Sequence, residues 1–225
     1  MELQFFERDD NFDVIQRALP HWAQTGTLVF VTFRTADSMP TAVVQKWHDE
    51  RDLWLRQHHI DPSQDDWRLR IGKLEPSKQQ EFQRRFSSQW HDELDQCHGE
   101  CALRDAKLAK IVADSLLYFD DERYELTDFV VMPNHVHLMG AFTSSAGMLT
   151  QCQSWKHFTA TRINAVLNRR GRFWQQDGFD HLIRSDRQFE YYREYIALNP
   201  AKAKLKPGEY VHWSRDLEGV RHAPK

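Results

Sequence analysis

The chain has 225 residues, 40% hydrophobic, 12% aromatic and 28% charged, with a formal net charge of −3. This suits one generous domain, or one domain with an insertion, and 9 Gly are too few for a fibrous or low-complexity chain. No apolar run approaches the ~18 residues of a membrane span, and Met1 to Asp10 lacks the basic start and apolar stretch of a secretory signal. The expectation is a soluble, cytoplasmic protein.

Three cysteines do not make a disulfide framework. Cys97 and Cys101 flank His98 like half of a zinc site, but no second pair of ligands lies at useful spacing, so reduced structural thiols are expected. Charge is unevenly spread. Residues 151–210 hold eleven Lys or Arg against six Asp or Glu, whereas residues 1–150 hold 16 against 25. The asymmetry suggests a polyanion-binding face in the second half, or simply solvated basic helices.

In chain order, Thr27 to Thr35 is β-branched and aromatic, bounded by Gly26 and by Asp37 to Pro40, and predicts a strand. Thr41 to Gln57 predicts a helix with Val44, Trp47, Trp54 and Leu55 near one stripe. From His58 to about Gly99 the chain is polar and irregular, except that Phe82, Phe86, Trp90 and Leu94 recur every four residues. That spacing predicts one amphipathic helix whose aromatic stripe packs a core.

Arg104 to Tyr118 predicts a further helix. Tyr124 to Met132 and His135 to Phe142 predict two strands joined by a Pro133-Asn134 turn. Gly147 to Leu167 is a long helix by its apolar spacing. A basic loop, Asn168 to Arg172, follows. The last helix is expected over Arg187 to Leu198, capped by Asp186 and stopped by Asn199-Pro200. The pattern is that of an α+β domain with an antiparallel sheet and a helical insertion.

Chemistry concentrates at two places. On a strand, His135 and His137 project from one face, with Val136 turned into the packing, so the two imidazoles can share a divalent metal. A His-x-His pair alone is weak, since 12 His yield on the order of half a pair by chance. On the last helix, Phe189, Tyr192 and Ile196 share an arc suited to the core, while Tyr195 and Asn199 lie over one another on the next arc. A phenol can be a covalent nucleophile and an amide oxygen a metal ligand; equally, a helical Tyr often just packs and bonds through its hydroxyl.

The segment Val130-Val131-Met132-Pro133-Asn134-His135-Val136-His137-Leu138 resembles the metal-binding strand of HUH single-tyrosine transposases. Ser154 to Ala160, Gly171 to Gln176, Phe179 to Arg184 and Tyr195 to Ala203 extend the resemblance, in order, to the branch called REP-associated tyrosine transposases. It covers about residues 124–206 and the early strand, and covers residues 58–103 and the tail after Pro207 poorly. The acidic overall charge and the long polar insertion depart from the usual small, basic member.

The resemblance implies a ferredoxin-like, HUH-type sheet in a single transposase domain spanning residues 1–225. Its core would be about 22–57 and 104–206, with an insertion at 58–103 and a tail at 207–225. It implies that Tyr195 is the nucleophile and that His135, His137 and Asn199 hold Mg²⁺ or Mn²⁺, although such an N/O set would also hold Zn²⁺. Single-stranded DNA bearing hairpins of the REP-palindrome kind is the implied partner of a monomer or homodimer. Lys156, Arg162, Arg172 and Arg184 are candidates for phosphates, Trp174 for base stacking, and His181 for a supporting or structural role beside the metal ligands. Two rivals stand: a silent hairpin-binding regulator, and a zinc hydrolase, which would lack a Glu general base beside the His pair.

Overall fold

β-Branched and aromatic residues alternate through the longest strands, and every second one falls on the same side of a sheet. In the computed structural model, which describes residues 13–15, 21–23, 27–64, 66–176 and 178–216, two compact units occur. One is residues 37–100; the described residues on either side of it form the other.

The sheet unit begins with a short antiparallel pair, β1 (Asp13–Ile15) and β2 (His21–Ala23). The main strand β3 (Leu28–Arg34) follows. In the helical unit, α1 (Thr41–Gln57), α2 (Trp67–Ile71), α3 (Pro76–Phe82) and α4 (Gln89–Asp95) bury Trp54, Leu55, Ile60, Trp67 and Phe86 together. The single helix expected from the Phe82-Phe86-Trp90-Leu94 stripe is α3 and α4 joined by a π-helical segment, Gln83–Ser88. The wider turn absorbs the drift of a four-residue repeat from the 3.6-residue period. Helix α1, counted with the core by sequence, belongs to this helical unit.

The sheet unit resumes with a 3₁₀ turn at Ala102–Arg104 and helix α5 (Ala106–Leu117), capped by the Asp105 carboxylate. Then come β4 (Tyr124–Val131), β5 (His135–Phe142), α6 (Ser145–Val166), β6 (Phe179–Leu182), α7 (Asp186–Lys202) and β7 (Val211–Ser214). Five strands stand in the order β6-β3-β5-β4-β7, every neighbour antiparallel. Strands β3, β4, β5 and β6, as first to fourth, are thus ordered fourth-first-third-second, the split arrangement of a ferredoxin-like β-α-β-β-α-β unit. The α+β, antiparallel expectation holds.

One sheet face is an apolar core under α5 and α6, built from Val29, Val31, Phe33, Val136, Leu138, Leu182 and the helix residues Leu108, Val112, Leu116, Trp155 and Ile163. The opposite face carries Leu28, Phe30, Val130, Met132 and Met139 under Phe189, Tyr192 and Ile196 of α7. A β-bulge between Leu126 and Asp128 shifts the alternation of β4 by one residue. Leu126 and Phe129 therefore share the first core, and Asp128 is left to the α7 side.

Four strands and the last helix depart from expectation. Strands β1, β2, β6 and β7 are unanticipated, the last lying in the expected tail. Helix α7 runs past Asn199-Pro200 to Lys202, and its cap is Ser185, whose hydroxyl accepts from Gln188 N–H, rather than Asp186. Proline lacks an N–H and crowds the carbonyl four residues back, but here only the final turn follows it, and the Pro200 carbonyl accepts from Leu205 N–H. No helix among the described residues is long and apolar enough to cross a membrane. Cys97, Cys101 and Cys152 form no disulfide among the described residues.

Candidate metal and nucleophile site

The His pair sits where the β4–β5 hairpin turns. Met132 N–H donates to His135 O at 2.8 Å, closing a two-residue turn at Pro133-Asn134. Both turn carbonyls are held: Thr35 N–H donates to Asn134 O at 2.8 Å and Leu103 N–H to Pro133 O at 3.0 Å. The first histidine of β5 is therefore fixed by backbone bonds from three directions.

His135 and His137 are both fully buried and face the α7 side, their ring centroids 4.6 Å apart. One ring nitrogen from each lies within 4.8 Å of the other. His135 Nδ1 lies 2.7 Å from Asn134 Oδ1. An amide oxygen only accepts, so Nδ1 carries a proton, and Nε2 is the atom through which the imidazole, when neutral, would coordinate a metal. His137 Nδ1 lies 2.7 Å from Thr32 Oγ1, its register partner on β3. Such anchoring of the far nitrogen is how metal-binding imidazoles are oriented. Close by, a Cβ on Gly178 would meet the Thr32 carbonyl at 2.8 Å, so the loop before β6 passes this strand only as glycine.

Phe30 forms the floor. Its ring stacks on His137 at 5.3 Å and on Tyr192 at 4.4 Å, and meets Tyr195 edge-on at 6.0 Å. Phe189, Tyr192 and Ile196 press α7 onto that floor, and burial pushes the Tyr192 phenol well above the usual tyrosine range. One residue along the helix from Ile196, the partly buried Tyr195 places its hydroxyl 3.4 Å from His137 Nε2. Asn199, one turn further, is 1% exposed on the sheet-facing side. The nucleophile and one imidazole expected from sequence are thus in contact.

Two cationic features were not anticipated. Arg34 is the register partner of His135, so its side chain leaves the same sheet face. Burial lowers its guanidinium to about 10, which leaves it charged at neutral pH. Arg193 of α7 reaches Asp128 at 3.3 Å and Ser214 Oγ at 3.0 Å, and Ser214 Oγ donates to Asp128 at 2.6 Å. Burial pushes the Asp128 carboxyl up; the Ser214 bond and the Arg193 charge oppose this. The triad ties the tyrosine helix to β4 and β7.

Other candidates fare differently. Trp174 is 4% exposed, edge-on to Phe33 and Phe173, and its Nε1–H donates to Thr159 Oγ1 at 2.8 Å. A ring this buried has almost no surface to offer a base, against the expectation that it stacks on one. Lys156 Nζ donates to the carbonyls of Gln175 (3.2 Å) and Gln176 (2.5 Å), tying α6 to the following loop. Arg162, Arg172 and Arg184 are exposed. His181 on β6 lies across from Phe30 and against Tyr192. Burial, aided by the Arg184 charge, lowers it to about 4, so it is neutral at pH 7.

Residues 106–199 match the family described as "Transposase IS200 like". No curated protein matches the chain. A solved structure of a REP-associated tyrosine transposase bound to a REP hairpin is similar at 12% identity and a TM-score of 0.40, covering 86% of this chain and 88% of that one.

Proposed function

We propose that this chain, whose residues 106–199 match the family described as "Transposase IS200 like", cuts and rejoins single-stranded DNA with Tyr195 as the nucleophile. The approach of the Tyr195 hydroxyl to 3.4 Å from His137 Nε2, beside a second buried imidazole, carries the assignment. Arrangements of this kind serve covalent phosphoryl transfer, in which one difficult displacement is divided into two easier ones.

His135, His137 and Asn199 would hold a divalent cation, Mg²⁺ or Mn²⁺. The donor set fits: two imidazoles with their Nδ1 atoms engaged, and an amide at the end of α7. Such an ion, when bound, withdraws charge from a phosphate oxygen and offsets charge on the leaving oxygen. In the strand-cutting step the Tyr195 oxygen bonds to phosphorus as the bond to the 3′ oxygen breaks. The phenol gives up its proton and the leaving oxygen gains one, yielding a 5′-phosphotyrosine and a free 3′-hydroxyl. An ordinary phenol has a pKa near 10, so attack at neutral pH is helped by a fixed positive charge. Arg34 supplies one on the same face. The phosphotyrosine ester conserves the bond energy, so a second 3′-hydroxyl can reverse the step and join strands without ATP.

The test is to incubate the protein with hairpin-bearing single-stranded DNA and Mg²⁺ and look for a denaturant-stable adduct. Wild type forms it; Tyr195→Phe does not, yet still retards the DNA in a native gel. A wild type that retards DNA but never links to it is a binding regulator instead. Cleavage that survives loss of every α7 tyrosine indicates a metal hydrolase.

A further inference from the structure

Helix α7 has three lengthwise strips at about 100° per residue. Phe189, Tyr192, Ile196 and Asn199 are the buried one. Asp186, Glu190 and Glu194 form an exposed acidic one. The third strip, spaced four, four, three and four residues apart, is Arg187, Tyr191, Tyr195, Leu198 and Lys202.

This third strip is unusual for a water-facing surface. Tyr191 is 59% exposed and Leu198 54%, with exposed cations, Arg187 and Lys202, at its two ends. The Tyr191 ring is held edge-on by Tyr192 at 5.2 Å and lies nearly parallel to Tyr195, 19° between planes and 6.5 Å between centroids. Lys202 Nζ sits 5.8 Å from the Tyr195 ring centre. The exposed phenol is therefore oriented by its neighbours and continuous with the site.

Flat π surface between positive charges matches single-stranded nucleic acid, whose unpaired bases stack and whose phosphates seek cations. Duplex DNA keeps its base faces internal and offers no such partner. From Arg187 to Lys202 the strip is about 22 Å long at 1.5 Å per residue, the reach of a few nucleotides.

We infer that this strip is a single-strand binding track, in which Tyr191 stacks on the unpaired base beside the phosphate that Tyr195 attacks while Arg187 and Lys202 meet flanking phosphates. The inference deepens the function proposed above and rests on it for the position of the phosphate; the binding itself is measured separately.

The experiment is fluorescence anisotropy with a labelled oligothymidylate and, as control, the same strand annealed to its complement, neither requiring cleavage. Tyr191→Ala weakens oligothymidylate binding about 5- to 150-fold, the range of one lost base–aromatic stack. Tyr191→Phe stays near wild type. Tyr191→Trp binds at least as well. Duplex binding is unchanged in all three. Equal binding by wild type and Tyr191→Ala overturns the inference, as does equal weakening by Tyr191→Phe, which would assign the effect to the hydroxyl. So does a wild type that ignores oligothymidylate, or a Tyr191→Ala variant that instead loses self-association in sedimentation. If the stacking pattern holds but wild type makes no covalent adduct, the track stands and the nucleophile assignment falls.

Discussion

The two faces of the sheet share the same strands but follow different rules. Under α5 and α6, strand residues such as Val31, Val136 and Leu138 make a continuous apolar core, and the buried Tyr124 hydroxyl is satisfied by donating to Leu116 O at 2.7 Å. Under α7, the residues between them in sequence include Thr32, His135 and His137, all buried, with Arg34 at the end of the strand. Burying polar groups costs free energy unless each is bonded or put to use. The first face carries stability; on the function proposed above, the second gives some of it up for chemistry.

The largest expected effect lies on the second face. His137→Gln lowers metal-dependent strand cleavage on the order of a thousandfold, while urea unfolding shifts by no more than about 1–2 kcal/mol. A large loss of stability with activity per folded molecule intact would erase the contrast between faces. On the first face the pattern inverts. Trp155→Ala removes a 2%-exposed indole and costs about 3–5 kcal/mol in urea denaturation, with cleavage by the folded fraction unchanged.

A smaller effect sharpens the comparison through pH. His181, on the α7 side, is held at about 4 by burial and by Arg184, against roughly 6.5 when unfolded. Between those values the unfolded chain binds the additional proton. Stability therefore falls as pH drops from about 6.5 to 4, by at most about 3 kcal/mol, and the contribution levels off below. His181→Gln flattens that part of the stability curve; an unchanged curve would show that the ring is not held neutral.

Which features were legible in the sequence follows from how local their causes are. The hairpin bearing His135 and His137, and the placement of Phe189, Tyr192 and Ile196 against the sheet, were readable because period-two and period-3.6 patterns are written in consecutive residues. Strand β7 was not: its four residues pair with β4, over eighty positions away, and alternate between partial burial and exposure. The Asp128–Arg193–Ser214 triad was hidden for the same reason and because a bulge, invisible to simple alternation, aims Asp128 at α7. Trp174 misled because an aromatic beside basic residues suits base stacking as well as a core. Only the tertiary bond to Thr159 distinguishes them.

Three tyrosines crowd the middle of α7 near the paired imidazoles, and of these Tyr195 brings its hydroxyl to His137. The most direct measurement is therefore to trap the covalent protein–DNA product, digest both parts and locate the residual nucleotide by tandem mass spectrometry. The mass should reside on Tyr195 alone. A nucleotide on Tyr191 or Tyr192, or a cleaved strand with no modified tyrosine at all, would contradict the geometry on which the mechanism is built.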